Sequence, residues 1–368
     1  MHKNYILSLL VIGFLAVFSS FSFAQENANQ EAVGEPINEK EEISEEIDLH
    51  LLDSHYFDFF ADNVNGKHYG FPLPVILIDD GVKVFSAAEF DHGRKIVEKD
   101  GSYYVYYKSK IYKTDATGEL SFDEHGLPTN DRPLDFSITK NVLVSFLVAV
   151  FIFFVFRSMA KTYKKQQLPK GFGRVLEPMI VFVRDDIAKS NIGPNYHKYM
   201  SYLLSIFFFI LFLNVLGLMP FGVNVTGSIT VTLALALITF FITQFSGNKN
   251  YWEHIFWFPD VHWLIKLILI PIEILGMLTK PFSLMIRLFA NMTAGHVMMM
   301  SFIGFIFIFR NWVAGPAFFG FSLFIGVLEI LVAFLQAYIF TLLSALYISA
   351  AVEEDYIPGE ETDELPII

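Results

Sequence analysis

The chain of 368 residues contains no cysteine, which excludes a disulfide framework, a thiolate-held metal and a cysteine nucleophile. Charge is scarce too. Asp, Glu, Lys and Arg make up 17% of the residues, against about 25% in soluble domains. Bases are the scarcer sign, 26 against 38 acids, and the net charge of −12 excludes a basic nucleic-acid binder. No nucleotide-binding motif is present, and no cofactor is expected. What is abundant is apolar: 54% of residues are hydrophobic, 41 of them Phe, and mean hydropathy is +0.46. These are the proportions of a membrane protein. The net negative charge comes from the ends, with eleven acidic residues and one Lys over 25–60, and seven and no base over 352–368. The rest of the chain is net positive.

The first 24 residues read as a secretory signal peptide. His2 and Lys3 open it, Tyr5–Phe18 is apolar, and Ser22 and Ala24 form a small-residue cleavage site before Gln25. The rival reading is a short N-terminal anchor; on either reading the segment from Gln25 onward is exported. Residues 25–136 are expected to hold an acidic linker and then a small β-rich domain from Gly66 to Phe136. Strand-like runs at Pro74–Ile78 and Ser102–Tyr107 are punctuated by turn signals at Asp79-Asp80-Gly81 and Asp100-Gly101. His50, His55, His68, His92 and His125 show no regular ligand spacing, so surface or packing roles are expected and no metal centre.

Residues 137–351 carry the membrane signal. Asn141–Phe156 is an uncharged span flanked by Lys140 and Arg157. From Arg157 to Lys198 nine bases face three acids, which the positive-inside rule places in the cytoplasm as a loop. Tyr199–Asn248 has no charged side chain and is broken at Pro220-Phe221-Gly222, giving spans Ser201–Met219 and Gly227–Phe245. Trp263–Phe309 and Pro316–Ala351 are two overlong apolar segments around a turn at Arg310-Asn311-Trp312. The fold class expected is an all-α polytopic membrane protein of about five membrane helices, ending in a long tilted helical hairpin and preceded by the β-rich domain. An acidic cytoplasmic tail, 352–368, closes the chain.

That hairpin holds charges where each costs about 2.5–3.5 kcal/mol at a helix centre. Lys266, Glu273, Lys280 and Arg287 recur every seven residues and share one stripe. For the two lysines a polar face against protein suffices; Arg287, inside a continuous apolar run, needs another reason. If the turn centres near 311–312, facing residues sum to about 623–625, which pairs Arg287 with Gln336 and His296 with Glu329. Arg287 is a fixed positive charge, whereas His296 and Glu329 can both exchange protons. Such a pair of helices suits a device that takes protons in without conducting them straight through.

At these residues the chain resembles a known family. Pro281 to His296 (PFSLMIRLFANMTAGH) is similar to the signature of the a subunit of F-type ATP synthases, and Leu335 to Phe340 (LQAYIF) resembles its second signature. Phe182 to Ala188 and Asn214 to Pro220 also resemble family segments. The likeness covers roughly 137–351; residues 25–135 look like an enlarged exported region. It implies a proton-channel stator in the bacterial inner membrane, not catalytic alone. The implied partners are the c-ring, the peripheral-stalk b subunits, the rest of the complex and membrane lipid. It further implies that Arg287 faces the ring and separates two half-channels. His296 and Glu329 would be relay groups on the exported side, in an order exchanged relative to many relatives. Asn291 and Gln336 would stand beside the arginine, and Glu273 near the cytoplasmic exit. H+ is the implied ion, and no residue here discriminates it from Na+. Two other readings compete. One is a secondary transporter with an Arg/His/Glu site at the midplane, which lacks an inverted repeat. The other is a membrane anchor for the exported domain, which would have no need of buried charge.

Overall fold

The computed structural model describes residues 52–62, 67–124, 126–165, 173–218, 223–256, 262–309 and 312–352. The expected signal peptide, most of the acidic linker, Arg310 and Asn311 of the hairpin turn, and nearly all of the acidic tail lie outside the described residues.

Among the described residues eight strands come first. β1 (Tyr56–Asp62) and β2 (Lys67–Pro72) form a hairpin. β3 (Pro74–Ile78), β4 (Val82–Ser86) and β8 (Leu134–Asp135) form an antiparallel sheet in the order β4-β3-β8. β5 (Val97–Lys99), β6 (Ser102–Tyr107) and β7 (Lys110–Thr114) form a third. Asp100 and Gly101 join β5 to β6, both with positive φ, as the two-residue turn matched to strand twist requires. The same geometry at Lys108-Ser109, between β6 and β7, is built without glycine or asparagine and carries no sequence signal. Alternation along the strands turns Val75, Leu77 and Phe85 inward onto Phe90, Val97, Tyr104 and Ile111.

Helix α1 (Lys140–Lys165) follows β8 almost directly. The expected cytoplasmic loop is largely helical. After α2 (Gly173–Phe182), a π turn at Val183–Lys189 and two short turns lead into α3 (Tyr196–Gly217). The π turn buries Val183, Ile187 and Ala188 and leaves Arg184 and Asp185 paired at the surface, which reconciles a charge-rich sequence with a helical path. Then come α4 (Ile229–Ser246), α5 (Lys249–Phe256), α6 (Trp263–Phe309) and α7 (Ala314–Val352). Among the described residues five helical stretches are long and apolar enough to cross a membrane. The 47 residues of α6 run unbroken through Pro271 and Pro281, about 70 Å at the usual rise. α6 and α7 form the hairpin. α7 also lies on α3 and α4, α4 on α6, and α1 on α3. Their shared core includes Leu203, Phe207, Leu284, Leu288, Ala337 and Phe340.

The β domain is tied to the top of α1. Asp53 accepts hydrogen bonds from the Thr139 hydroxyl (2.8 Å) and the Asn141 backbone N–H (3.2 Å), satisfying a donor in the first turn of the helix. Burial pushes the Asp53 carboxyl up, despite these bonds and the charge of Lys140. His55, buried, bonds Asp135 at 2.9 Å, and His92 stacks on Tyr56. Phe57 packs against the cluster of Val144, Val148, Leu213, Val223 and Val225, joining the domain to α1, α3 and the segment before α4.

Burial works to raise the Asp135 carboxyl, but hydrogen bonds from His55 and Ser137 outweigh it and hold the group below its ordinary value of 3.8. A depressed carboxylate contributes stability that is complete above that ordinary value and lost as pH falls through the lowered one. Asp135→Asn should therefore weaken the domain by about 1–3 kcal/mol near neutral pH. Thermal unfolding and protease protection of the intact protein would show this gap, which should close only in strong acid.

Candidate functional site

Arg287 sits in the middle of α6, half-buried at the edge of the helix's open face. Its Nη2 reaches the Ser283 hydroxyl at 3.5 Å, one turn earlier. Ser283, Ile286, Ala290, Asn291 and Ala294 follow on the same exposed stripe at spacings of three and four. The surface beside the guanidinium is thus made partly of small side chains, which permit close approach by another helix.

The inner face differs. His296, nine residues on, is buried, with Nε2 aimed toward α3: a Cβ placed on Gly217 would lie 3.6 Å from it and 2.7 Å from Met292 Cε. Glu329 on α7 lies across Gly295, where a Cβ would collide with its Oε1. Both Glu329 oxygens are out of solvent and have no hydrogen-bond partner among the described residues. The expected direct pairing of His296 with Glu329 is therefore not formed as a hydrogen bond. The carboxylate takes the groove that a glycine leaves open, and the imidazole, about 100° further round the helix, turns to α3.

The hydrogen bond to Gln336 comes from Asn291 and not from Arg287. The buried Gln336 Oε1 accepts from Asn291 Nδ2 at 2.8 Å, one turn beyond the arginine on the same stripe. The facing sum there is 627, and the Lys280 ammonium lies over the Tyr347 ring, 5.4 Å from its centre, at the same sum. Glu329 against Gly295 sums to 624. The offset between these levels is less than one helical turn, which suffices to exchange Arg287 for Asn291 as the glutamine's partner. Glu273 lies near Tyr251 of α5, whose phenol is pushed up by burial first and by that acid in addition.

Sequence reasoning singles out Asn214 as an interhelical hydrogen-bonding amide but missed the threonines of the polar layer around it. Asn214, fully buried on α3, donates to the Ala333 carbonyl of α7 (3.3 Å) and accepts from the Thr226 hydroxyl (2.8 Å). Thr232, Thr239 and Thr243 line the buried side of α4, with the Tyr202 hydroxyl 2.5 Å from Thr239 Oγ1. Their spacing of seven and four was the available signal, but threonines can satisfy their own hydroxyls on the preceding turn, as Thr239 and Thr243 do here. Among the described residues no cluster of three or more His, Asp or Glu could hold a metal ion.

Comparison with known proteins adds two matches along the chain. Residues 142–349 match the family described as ATP synthase A chain, and residues 46–136 match a domain of unknown function (DUF8433). Among curated relatives, ATP synthase subunit a 2 of Prosthecochloris aestuarii is 40% identical over 317 residues, covering 82% of this chain and 97% of the relative. ATP synthase subunit a of Chloroherpeton thalassium is 45% identical, covering 62% of this chain and 70% of its own. That of Chlorobium phaeobacteroides (strain DSM 266) is 42% identical over 74% and 83%.

Two substitutions test the geometry. Gly295→Ala forces aside only the flexible end of Glu329, so it should leave the fold intact and change the surroundings of the carboxylate. The infrared band of the Glu329 carboxyl, identified with Glu329→Gln, should shift. Cysteines at 291 and 336 should crosslink more efficiently than cysteines at 287 and 336.

Proposed function

Because the chain belongs to the ATP synthase A chain family and is a multi-pass membrane protein of five apolar helical stretches, we propose that it is the subunit at which protons enter and leave the rotating ring of c subunits. Its partners on this reading are the ring, the peripheral-stalk b subunits and the rest of the complex, in the bacterial inner membrane. The signal peptide (1–24) directs export of residues 25–136, the hairpin turn faces the exported side, and the tail 352–368 is cytoplasmic. The family leaves the carrier and anchor readings without support.

One observation supports this reading most: the non-titrating Arg287 stands beside an open stripe with small residues, while the proton-exchanging His296 and Glu329 are turned inward. A ring carboxylate arriving at the open stripe meets a permanent positive charge, which lowers its pKa and releases its proton to one side. The same charge repels a proton moving directly between the two half-channels. His296 and Glu329, with Asn214 and Thr226 behind them, form the exported half-channel. Asn291 and Gln336, bonded to each other, hold the two helices in register beside the arginine. Glu273 marks the cytoplasmic exit. The membrane potential contributes about 2.3 kcal/mol per charge per 100 mV to this transfer.

Arg287→Ala should abolish proton-driven ATP synthesis while the complex still assembles; normal synthesis in the purified, reconstituted variant would refute the mechanism. Glu329→Gln should slow proton uptake more than it harms assembly. Pumping in this variant that matches the unsubstituted complex at every pH would remove its relay role.

A further inference from the structure

The sheet β4-β3-β8 has an outward face that is apolar except for Ser86, opposite Pro74 in the row nearest the helix, and the register makes this explicit. Val82, Ile78 and Leu134 lie side by side across the three strands. One step along, Val84 faces Ile76, and the Phe136 N–H bonds the Ile76 carbonyl. In the last row the Ile138 N–H bonds the carbonyl of Pro74. Val82, Val84, Leu134 and Phe136 are each 63–68% exposed, and Ile78 and Ile138 are 41% and 36% exposed. The intervening residues Asp135 and Ser137 point the other way, into the His55 contact and the domain interior. A solvated sheet face would alternate to polar side chains here, and exposed apolar patches of this kind mark an interaction surface.

Two features identify the occupant. First, the face continues into the surface of the membrane helix: after Ile138, Val142 and Phe146 follow at helical spacing on α1, 49% and 65% exposed. Second, the domain is seated low. Phe57 packs on a cluster that includes Val144 and Val148, about 6 and 12 Å down from the start of α1 at the helical rise. The acidic turn Asp79-Asp80 lies at the opposite end of the sheet, away from the helix. We propose that this sheet face rests in the exported leaflet of the bilayer, at the boundary of headgroups and acyl chains, making the domain a lipid-contacting module rigidly joined to α1. Amphipathic surfaces bind membranes in this way by laying an apolar face into that boundary. The inference stands apart from the proton-channel reading.

Because the chain has no cysteine of its own, single labels test this directly. Val84→Cys and Phe136→Cys, each carrying an environment-sensitive fluorophore, would be placed in the whole complex in phosphatidylcholine–phosphatidylglycerol vesicles. Glu98→Cys on exposed β5 serves as control, and Leu134→Cys replaces either test position that fails to assemble. Lipids brominated near the headgroup should quench most of the emission at 84 and 136 and little at 98, whereas aqueous iodide should quench only 98. Iodide quenching at 84 and 136 equal to that at 98 would overturn the proposal. So would shielding from both quenchers, which would mean that protein covers the face: either residues 25–51 of this chain or another subunit.

Discussion

A guanidinium that keeps its proton at every physiological pH, carried through the hydrocarbon on a continuous helix, is the constraint on which the rest of this architecture turns. Its cost in lipid falls only if protein, rather than acyl chains, lines much of its surroundings. The long hairpin of α6 and α7 provides that. α7 places Gln336 one turn from the arginine, where it is held by Asn291, and the cluster of Leu284, Leu288, Ala337 and Phe340 locks the two helices against α3 and α4. The open stripe of Ser283, Ala290, Asn291 and Ala294 is then free to meet a further partner, as a family member working against a ring requires. The titratable His296 and Glu329 are turned away from that stripe, so the fixed charge and the titratable groups occupy different faces of one helix pair.

The β domain is connected to this membrane part through charged groups. Asp53 supplies an acceptor to the first turn of α1, and His55 holds Asp135 immediately before that helix. The two carboxyls respond to acid in opposite senses: Asp53 is raised chiefly by burial, and Asp135 is lowered by its hydrogen bonds. Acidification therefore relaxes the buried charge of the first while it removes the pair of the second. By linkage the first response falls above the ordinary carboxylate value and the second below it, so the two act in successive pH ranges.

Much of the fold was legible in the sequence because it follows from gross energetics. Uncharged stretches too long for a soluble core gave the spans, and Trp263–Phe309 is a helix with the same bounds as the apolar run. Pro74–Ile78 and Ser102–Tyr107 are strands as their alternation and flanking turns suggest. Features set by sub-turn geometry were not legible. A facing sum read from an assumed turn centre carries a slack of several residues, and four residues separate Arg287 from Asn291 as the partner of Gln336. No hydrogen bond joins Glu329 to His296, and Glu329 Oε1 lies over Gly295; the space above a glycine does not register as a signal in a pattern of polar residues. The π turn at Val183–Lys189 let a basic, loop-like stretch remain helical.

The central claim is that the open stripe beside Arg287 is the surface past which the ring turns. A single cysteine in place of Ser283 or Ala294, paired with a cysteine next to the ion-carrying carboxylate of a c subunit, measures this most directly in the assembled complex under mild oxidation. The account predicts a disulfide-linked product of this chain with a c subunit, and loss of ATP-driven rotation that reductant restores. Crosslinks confined to stalk subunits, or no crosslink from either position while cysteines on the opposite face of α6 react with the ring, would contradict it.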